Sequence, residues 1–156
     1  MKGNPKLLET LNGLLADELT AINQYMVHSE MCDNWGYQLL HKMIEKRAVT
    51  EMKHTEKLIA RILFLEGTPV VSKLNEIHIG ADVPKMFAND LAAETMANRN
   101  YNAAIQVALD VHDGATRELL ESILEDEDSH TDEIEGQQDQ IAQMGIGTYL
   151  GHQIGD

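Results

Sequence analysis

The strongest constraint in this sequence is a glutamate set in the middle of each of four apolar helical stripes. The first stripe reads Leu7, Leu11, Leu14, Glu18, Ile22, Tyr25, Ser29, and the second Tyr37, Leu40, Ile44, Ala48, Glu51, His54, Leu58, Ile62, Leu65. The third reads Phe87, Leu91, Glu94, Ala97, Tyr101, Ile105, Ala108, and the fourth Leu120, Ile123, Glu127, His130, Ile134, Ile141. Steps of three and four keep every member on one face of a helix. An ionised carboxylate on a buried face is costly unless it is paired or bound to metal. One glutamate on such a face is a register problem; one on each of four faces demands an explanation.

The stripes imply an all-α fold. The chain has 156 residues, 43% hydrophobic but only 4% aromatic. Its apolar content is mainly Leu, Ile, Ala and Met, which favours helices over a sheet. The length suits one domain, spanning residues 1–156, with one sizeable core. Pro5, Pro69 and Pro84 stand outside the stripes, so long helices are permitted. The first helix is expected from Pro5 to Asn34, with Asn4 as N-cap and Pro5 at the first helical position. Trp35-Gly36 breaks it. The second runs to about Glu66 and stops at Gly67-Thr68-Pro69. The third begins after Asp82 and ends near His112; the fourth follows Asp113-Gly114 and ends near Met144. Gly145, Gly147 and Gly151 punctuate a tail with room for one short helix. Helices of about 28 residues are ~42 Å long. The connection from Gly67 to Asp82, extended, spans ~50 Å. That is enough to cross the whole bundle and set the second and third helices parallel.

The chain also repeats itself. Glu18 and Glu51 are 33 residues apart, as are Glu94 and Glu127. Each second glutamate opens a Glu-x-x-His, as Glu51-Met52-Lys53-His54 and Glu127-Asp128-Ser129-His130. Tyr25 and Tyr101 each lie seven residues after the lone glutamate of their half. Two copies of one helical hairpin, related by a pseudo-two-fold axis, account for the pattern. Residues three apart share a helix face, so each Glu-x-x-His can bind one ion. Glu18 and Glu94 then complete or bridge the pair. Four carboxylates balance two divalent cations, and oxygen and imidazole donors without thiolate suit iron or manganese, with zinc able to compete. Two such ions ~3.5–4 Å apart can react together with dioxygen or peroxide.

Charge and cysteine count narrow the rest. The formal net charge of -14 repels nucleic acid and anionic lipid and attracts cations. No apolar run is long enough to span a bilayer. Met1-Lys2-Gly3-Asn4-Pro5 lacks the apolar core of a signal peptide. Cys32 is the only cysteine, which excludes an internal disulfide and a thiolate cluster. A cytoplasmic location is expected.

The chain resembles the bacterioferritins, the haem-binding ferritins of bacteria, over essentially its whole length. The likeness is carried by Met1-Lys2-Gly3, Glu18-Leu19-Thr20-Ala21-Ile22-Asn23-Gln24-Tyr25, Asn34-Trp35-Gly36 and Glu51-Met52-Lys53-His54. It continues in Arg61-Ile62-Leu63-Phe64-Leu65-Glu66-Gly67, Asp126-Glu127-Asp128-Ser129-His130 and Tyr149-Leu150. The resemblance implies a ferritin-like four-helix bundle with a long crossover between helices two and three and a short C-terminal helix. It implies a ferroxidase, using dioxygen or hydrogen peroxide, that deposits ferric mineral inside a shell of twenty-four subunits built from dimers. By the match, Glu18, Glu51, His54, Glu94, Glu127 and His130 bind two Fe ions per subunit. Tyr25 and Tyr101 would hydrogen-bond metal-bound carboxylates, and Tyr25 could supply an electron.

Met52, one residue after Glu51, faces away from the core beside Val49, Ile59 and Glu45. By resemblance it is an axial ligand of haem b shared between two subunits, with Leu19, Ile22, Asn23 and Met26 lining the pocket. Asn34, Glu66, Asp132 and Asp139 match residues lining the pores of such shells. A ferredoxin-type electron donor is the expected partner for iron release. His28, His41, His78, His112 and His152 have no partner at ligand spacing.

One departure stands out. Many bacterioferritins carry a histidine and an aspartate on the inner surface where this chain has Lys46 and Thr50. A protonated lysine cannot ligate and repels Fe²⁺, so an extra iron held there is not expected. Two other readings compete: a di-metal oxidase of a small molecule, and a non-catalytic helical interaction module that leaves the four glutamates unexplained. A DNA-coating mini-ferritin builds its site across subunits, and a rubrerythrin needs cysteine pairs.

Overall fold

The computed structural model describes residues 1–155. Four long helices, α1 (Pro5–Asn34), α2 (Gln38–Phe64), α3 (Val83–Asp110) and α4 (Gly114–Met144), are followed by the short α5 (Ile146–Gly151). Asn4 caps α1, its side-chain oxygen accepting from the amides of Lys6 at 2.8 Å and Leu7 at 3.3 Å. Asp82 and Asp113 cap α3 and α4 in the same way, through the amides of Lys85 and Thr116. The second helix ends two residues before the expected Glu66, and the third before His112. The reason lies in the closing turns. Glu66 and His112 both adopt φ 60, and the next amide reaches back five residues, Gly67 to the Ile62 carbonyl and Asp113 to that of Ala108. This is the left-handed helix stop that glycine usually provides, as Gly36 does at φ 83 for α1.

The crossover fixes the topology. Its residues are tied along α1 in order: Thr68 and Val70 to Asn12, the Asn75 amide to Thr20, the His78 amide to Gln24, and the Gly80 amide to His28. The strap therefore travels up α1 in its own direction, against α2. It delivers the chain to the end of the bundle where α2 began, so α2 and α3 are parallel. Packing of α1 on α2, α3 on α4 and α1 on α3 completes the bundle. No helix among the described residues is long and apolar enough to cross a membrane.

The core is divided. One apolar cluster holds Leu7, Leu11, Leu15, Leu58, Ile62, Ala108, Leu120 and Ile123. The other holds Cys32, Leu40, Ile44, Val83, Phe87, Ile134 and Tyr149. The glutamate-bearing turns of all four helices lie between them. Tyr101 belongs to the first cluster and Tyr25 to the second, so a tyrosine lies on each side of the polar layer. The short α5 closes the second cluster through buried Tyr149, whose hydroxyl donates to Gln137 at 2.5 Å.

A second buried polar group was not evident from the stripes. Arg47 and Asp90 are buried beneath the crossover. Asp90 accepts from Gln24 and His28, both at 2.9 Å, and from Arg47 at 3.4 Å. Arg47 also donates to Glu133 at 2.8 Å. His28, which the sequence left without a partner, takes the Gly80 amide on its Nε2, so its Nδ1 donates to Asp90. The group ties α1, α2, α3, α4 and the strap together beside the second apolar cluster. Its charges are tolerated because each is paired.

Candidate metal centre

Each helix brings one glutamate to the middle layer, and α2 and α4 add a histidine one turn on. Glu18, Glu51, Glu94, Glu127 and His54 are all buried, and His130 nearly so. These six residues form two overlapping donor groups. Glu18, Glu51, His54 and Glu127 make one, and Glu51, Glu94, Glu127 and His130 the other, with the donor atoms of each within 4.8 Å of one another. Glu51 and Glu127 belong to both, so they stand where carboxylates can bridge. Glu18 and Glu94 belong to one group each.

The histidines point their Nδ1 atoms inward. Nδ1 of His54 lies 2.9 Å from both Glu51 and Glu127 and 3.6 Å from Glu18. Nδ1 of His130 lies 2.9 Å from Glu51 and 3.3 Å from Glu94. The two tyrosines work crosswise. Tyr25 on α1 donates to Glu94 on α3 at 2.5 Å, and Tyr101 on α3 donates to Glu18 on α1 at 2.5 Å. Each outer glutamate thus has one oxygen held and one free to ligate. Asp126, next to Glu127, accepts from Nε2 of His54 at 2.8 Å. Sequence reasoning missed Asp126, although its position directly before a Glu-x-x-His was a usable signal.

The donor set fits a pair of divalent cations. Glu18 Oε2, Glu51 Oε1, Glu94 Oε2, Glu127 Oε1 and His130 Nδ1 are buried and make no well-directed hydrogen bond among the described residues, Glu51 Oε1 and Glu127 Oε1 meeting only the imidazole nitrogens of His130 and His54 at 2.9 Å. Buried polar atoms are rarely left so, and here they converge. Electrostatics agree. Burial, then the neighbouring Glu51, holds Glu18 well above the usual carboxylate range. Burial and the contact with Glu127 push Glu94 up to about 8 from 4.5, and burial likewise brings Glu127 to about 7. Burial alone would lower His54, but its contacts with Glu127, Glu18 and Glu51 outweigh it and raise it. Burial, then the adjacent Glu94 and Glu18 respectively, raises Tyr25 and Tyr101, keeping both as donors.

Carboxyls with raised values stabilise the metal-free fold only while protonated. That contribution is full below about 4.5 and is lost as pH rises through about 7 to 8. The metal-free protein should melt at progressively lower temperature across this window, and divalent metal should reverse the trend. Glu94→Gln removes one crowded charge and keeps an acceptor for Tyr25. At pH 7.5 it should stabilise the metal-free form by on the order of 1–3 kcal/mol while weakening metal binding. A metal-free Glu94→Gln protein melting below its parent would refute the crowding argument.

A cavity of about 310 Å³ reaches the cluster between α1, α3 and the strap, touching Glu18, Glu94 and Glu127 inside and Asp17, Glu76 and His78 further out. On the opposite face of α2, Met52 is 45% exposed and lines a separate apolar groove of about 320 Å³ with Ile22, Met26, Ala48, Val49 and Glu45. Of the residues expected around Met52, Leu19, Asn23 and Ile59 are not in the groove wall. Asn34, Glu66, Asp132 and Asp139 are all exposed.

The fold and this carboxylate–histidine layer define a ferritin-like protein, and residues 8–144 match the ferritin-like domain family. Bacterioferritin of Brucella melitensis is 36% identical over 149 residues, covering 96% of this chain and 92% of its own. Bacterioferritin of Rhodobacter capsulatus is 40% identical over 137 residues, covering 88% and 85%. That of Streptomyces coelicolor is 38% identical over 150 residues, covering 96% and 90%. The chain belongs to the bacterioferritin family.

Proposed function

We propose that this chain is the subunit of an iron store that oxidises Fe²⁺ at the six-residue cluster and deposits the ferric product inside a hollow shell. The observation that carries this reading is the convergence of unpartnered buried carboxylate oxygens between two apolar clusters. Iron is substrate and cargo here. Glu18 and His54 hold one ion, Glu94 and His130 the other, and Glu51 and Glu127 hold both. Each Fe²⁺ gives up one electron. The pair reduces dioxygen with two protons to hydrogen peroxide, or hydrogen peroxide to two hydroxides. Before oxidation the four carboxylates balance the two ions. Afterwards the ions carry two further positive charges, which favours hydroxide binding and departure toward the mineral. Tyr25 and Tyr101 keep Glu94 and Glu18 aimed.

The cavity beside the strap is the direct way in, and its Asp17 and Glu76 favour a cation. In a twenty-four-subunit shell built from dimers, Asn34, Glu66, Asp132 and Asp139 would line openings between subunits. The groove around Met52 suits one face of a haem b: it is apolar and offers a neutral thioether. Met52, with Met52 of another copy, would hold the haem, while Met26 stands in the groove wall beside it. Bound haem supplies a one-electron path, which suits reductive release of iron with a ferredoxin-type donor. With Lys46 and Thr50 in place of a histidine and an aspartate, no additional iron is held at that position.

The cavity also favours a second reading, a di-metal oxidase acting on a small molecule. Iron loading separates them. Purified protein given Fe²⁺ in air should turn it over faster than buffer alone and retain it as electron-dense cores within shells, with metal analysis and an absorption spectrum reporting iron and haem together. Soluble protein that oxidises no iron and forms no cores would overturn the storage reading.

A further inference from the structure

We infer that Asp126 is a positioning residue that makes the two metal positions unequal, because the matching place in the other half of the chain is taken by Thr50. The inference rests on the six-ligand reading above. The halves correspond at a single offset of 76 residues: Glu18 to Glu94, Tyr25 to Tyr101, Glu51 to Glu127 and His54 to His130. Under that offset Thr50 corresponds to Asp126. Each imidazole meets Glu51 with its Nδ1 at 2.9 Å, and the Nδ1 of His54 lies closer to a second carboxylate, 2.9 Å from Glu127, than that of His130, 3.3 Å from Glu94. Their backs differ. Nε2 of His54 is bonded to Asp126 at 2.8 Å. No described residue hydrogen-bonds Nε2 of His130, and the Thr50 hydroxyl donates instead to the Lys46 carbonyl of its own helix at 3.1 Å. Asp128, the other nearby carboxylate on α4, is engaged by Asn98 at 2.8 Å.

An imidazole whose rear N–H donates to a carboxylate is fixed in tautomer and rotation, and its front nitrogen becomes a stronger donor. His54 has that support and is 1% exposed; His130 lacks it and is 12% exposed. The bridging Glu51 and Glu127 are common to both positions, and the outer glutamates are held alike by the crosswise tyrosines. The difference therefore falls on the histidines. The position of Glu18 and His54 holds its ion more tightly, fills first and empties last. The position of Glu94 and His130 exchanges more readily.

Zinc, which is redox-inert, tests this without reference to oxidation. Calorimetric titration of the assembled, metal-free protein should show two classes of site, one ion each per chain. Diffraction at the zinc edge with one ion per chain should place the metal mainly beside His54. Asp126→Ala should weaken the tighter class by about tenfold or more and even out the two occupancies. Asp126→Asn, which keeps an acceptor without the charge, should restore part of the loss. Thr50→Asp should tighten the weaker class. Equal occupancy in the unaltered protein, or an Asp126→Ala protein that loses both classes alike, would overturn the inference. Protein that binds no zinc at all would overturn the two-metal reading and this inference with it.

Discussion

Replacing His130 with alanine should slow the initial oxidation of Fe²⁺ by about 100-fold or more, and His54→Ala should do at least as much. The size follows from what each imidazole does. Loss of a residue that merely orients a metal ligand typically costs 10–100-fold, and here the ligand itself is removed. In His130→Ala, the second position keeps only carboxylates that it shares or that Tyr25 restrains. In His54→Ala, Asp126 also loses the imidazole it supports. Because oxidation draws electrons from both ions together, emptying either position removes the paired reaction. Neither change should unfold the chain, since the apolar clusters above and below the layer are untouched. Stopped-flow absorbance after mixing with Fe²⁺ and oxygen measures the rate directly. Undiminished rates in both variants would remove the six residues from the reaction.

Met52→Leu should abolish haem binding altogether. The substitution keeps size and apolarity and deletes only the sulfur. Met52 lies on the outer face of α2, with its side chain in the groove, while the adjacent Glu51 faces the core. A thioether is soft and neutral, so it suits haem iron without competing for the harder Fe²⁺ next door. The unaltered protein, expressed with ample haem, should carry no more than one haem per two chains. The variant should carry none, assemble normally and continue to oxidise iron, and its stored iron should emerge more slowly under a reductant. The haem assignment would be falsified if the variant kept the absorption spectrum of a bis-methionine haem.

Much of the bundle was legible because its signals are local. Helix spacing, Asn4 as a cap, and a connection too long for a hairpin all act within a few residues or set a length. The stripes placed Glu18, Glu51, Glu94 and Glu127 on inner faces because a carboxylate among leucines breaks a regular pattern. What stayed hidden depends on distant partners. Arg47 stands beside Ala48 of the stripe and reads as a surface residue until Asp90 and Glu133 arrive from α3 and α4. His28 looks idle until the strap brings the Gly80 amide to it. Asp126 gains its meaning only when α4 lies against α2. The helix ends were overrun by two residues because Glu66 and His112, neither a glycine, hold the left-handed stop.

The crosswise tyrosines bear on the order in which the molecule is made. Tyr25 belongs to the first hairpin and steadies a glutamate of the second, while Tyr101 does the reverse. Neither hairpin alone contains a steadied donor set, so each must form on its own local contacts, which is the fast part of helical folding. Their union then brings four carboxylates together. In the absence of metal that last docking is opposed by the charges it gathers. Each hairpin carries only three of the six donors, so the complete two-ion site forms only once the hairpins have met, and its shared contacts through Glu51 and Glu127 come after the barrier between separate and joined hairpins. Contacts of that kind leave the refolding rate alone and slow unfolding. Bound ions thereby lengthen the lifetime of the fold that holds them.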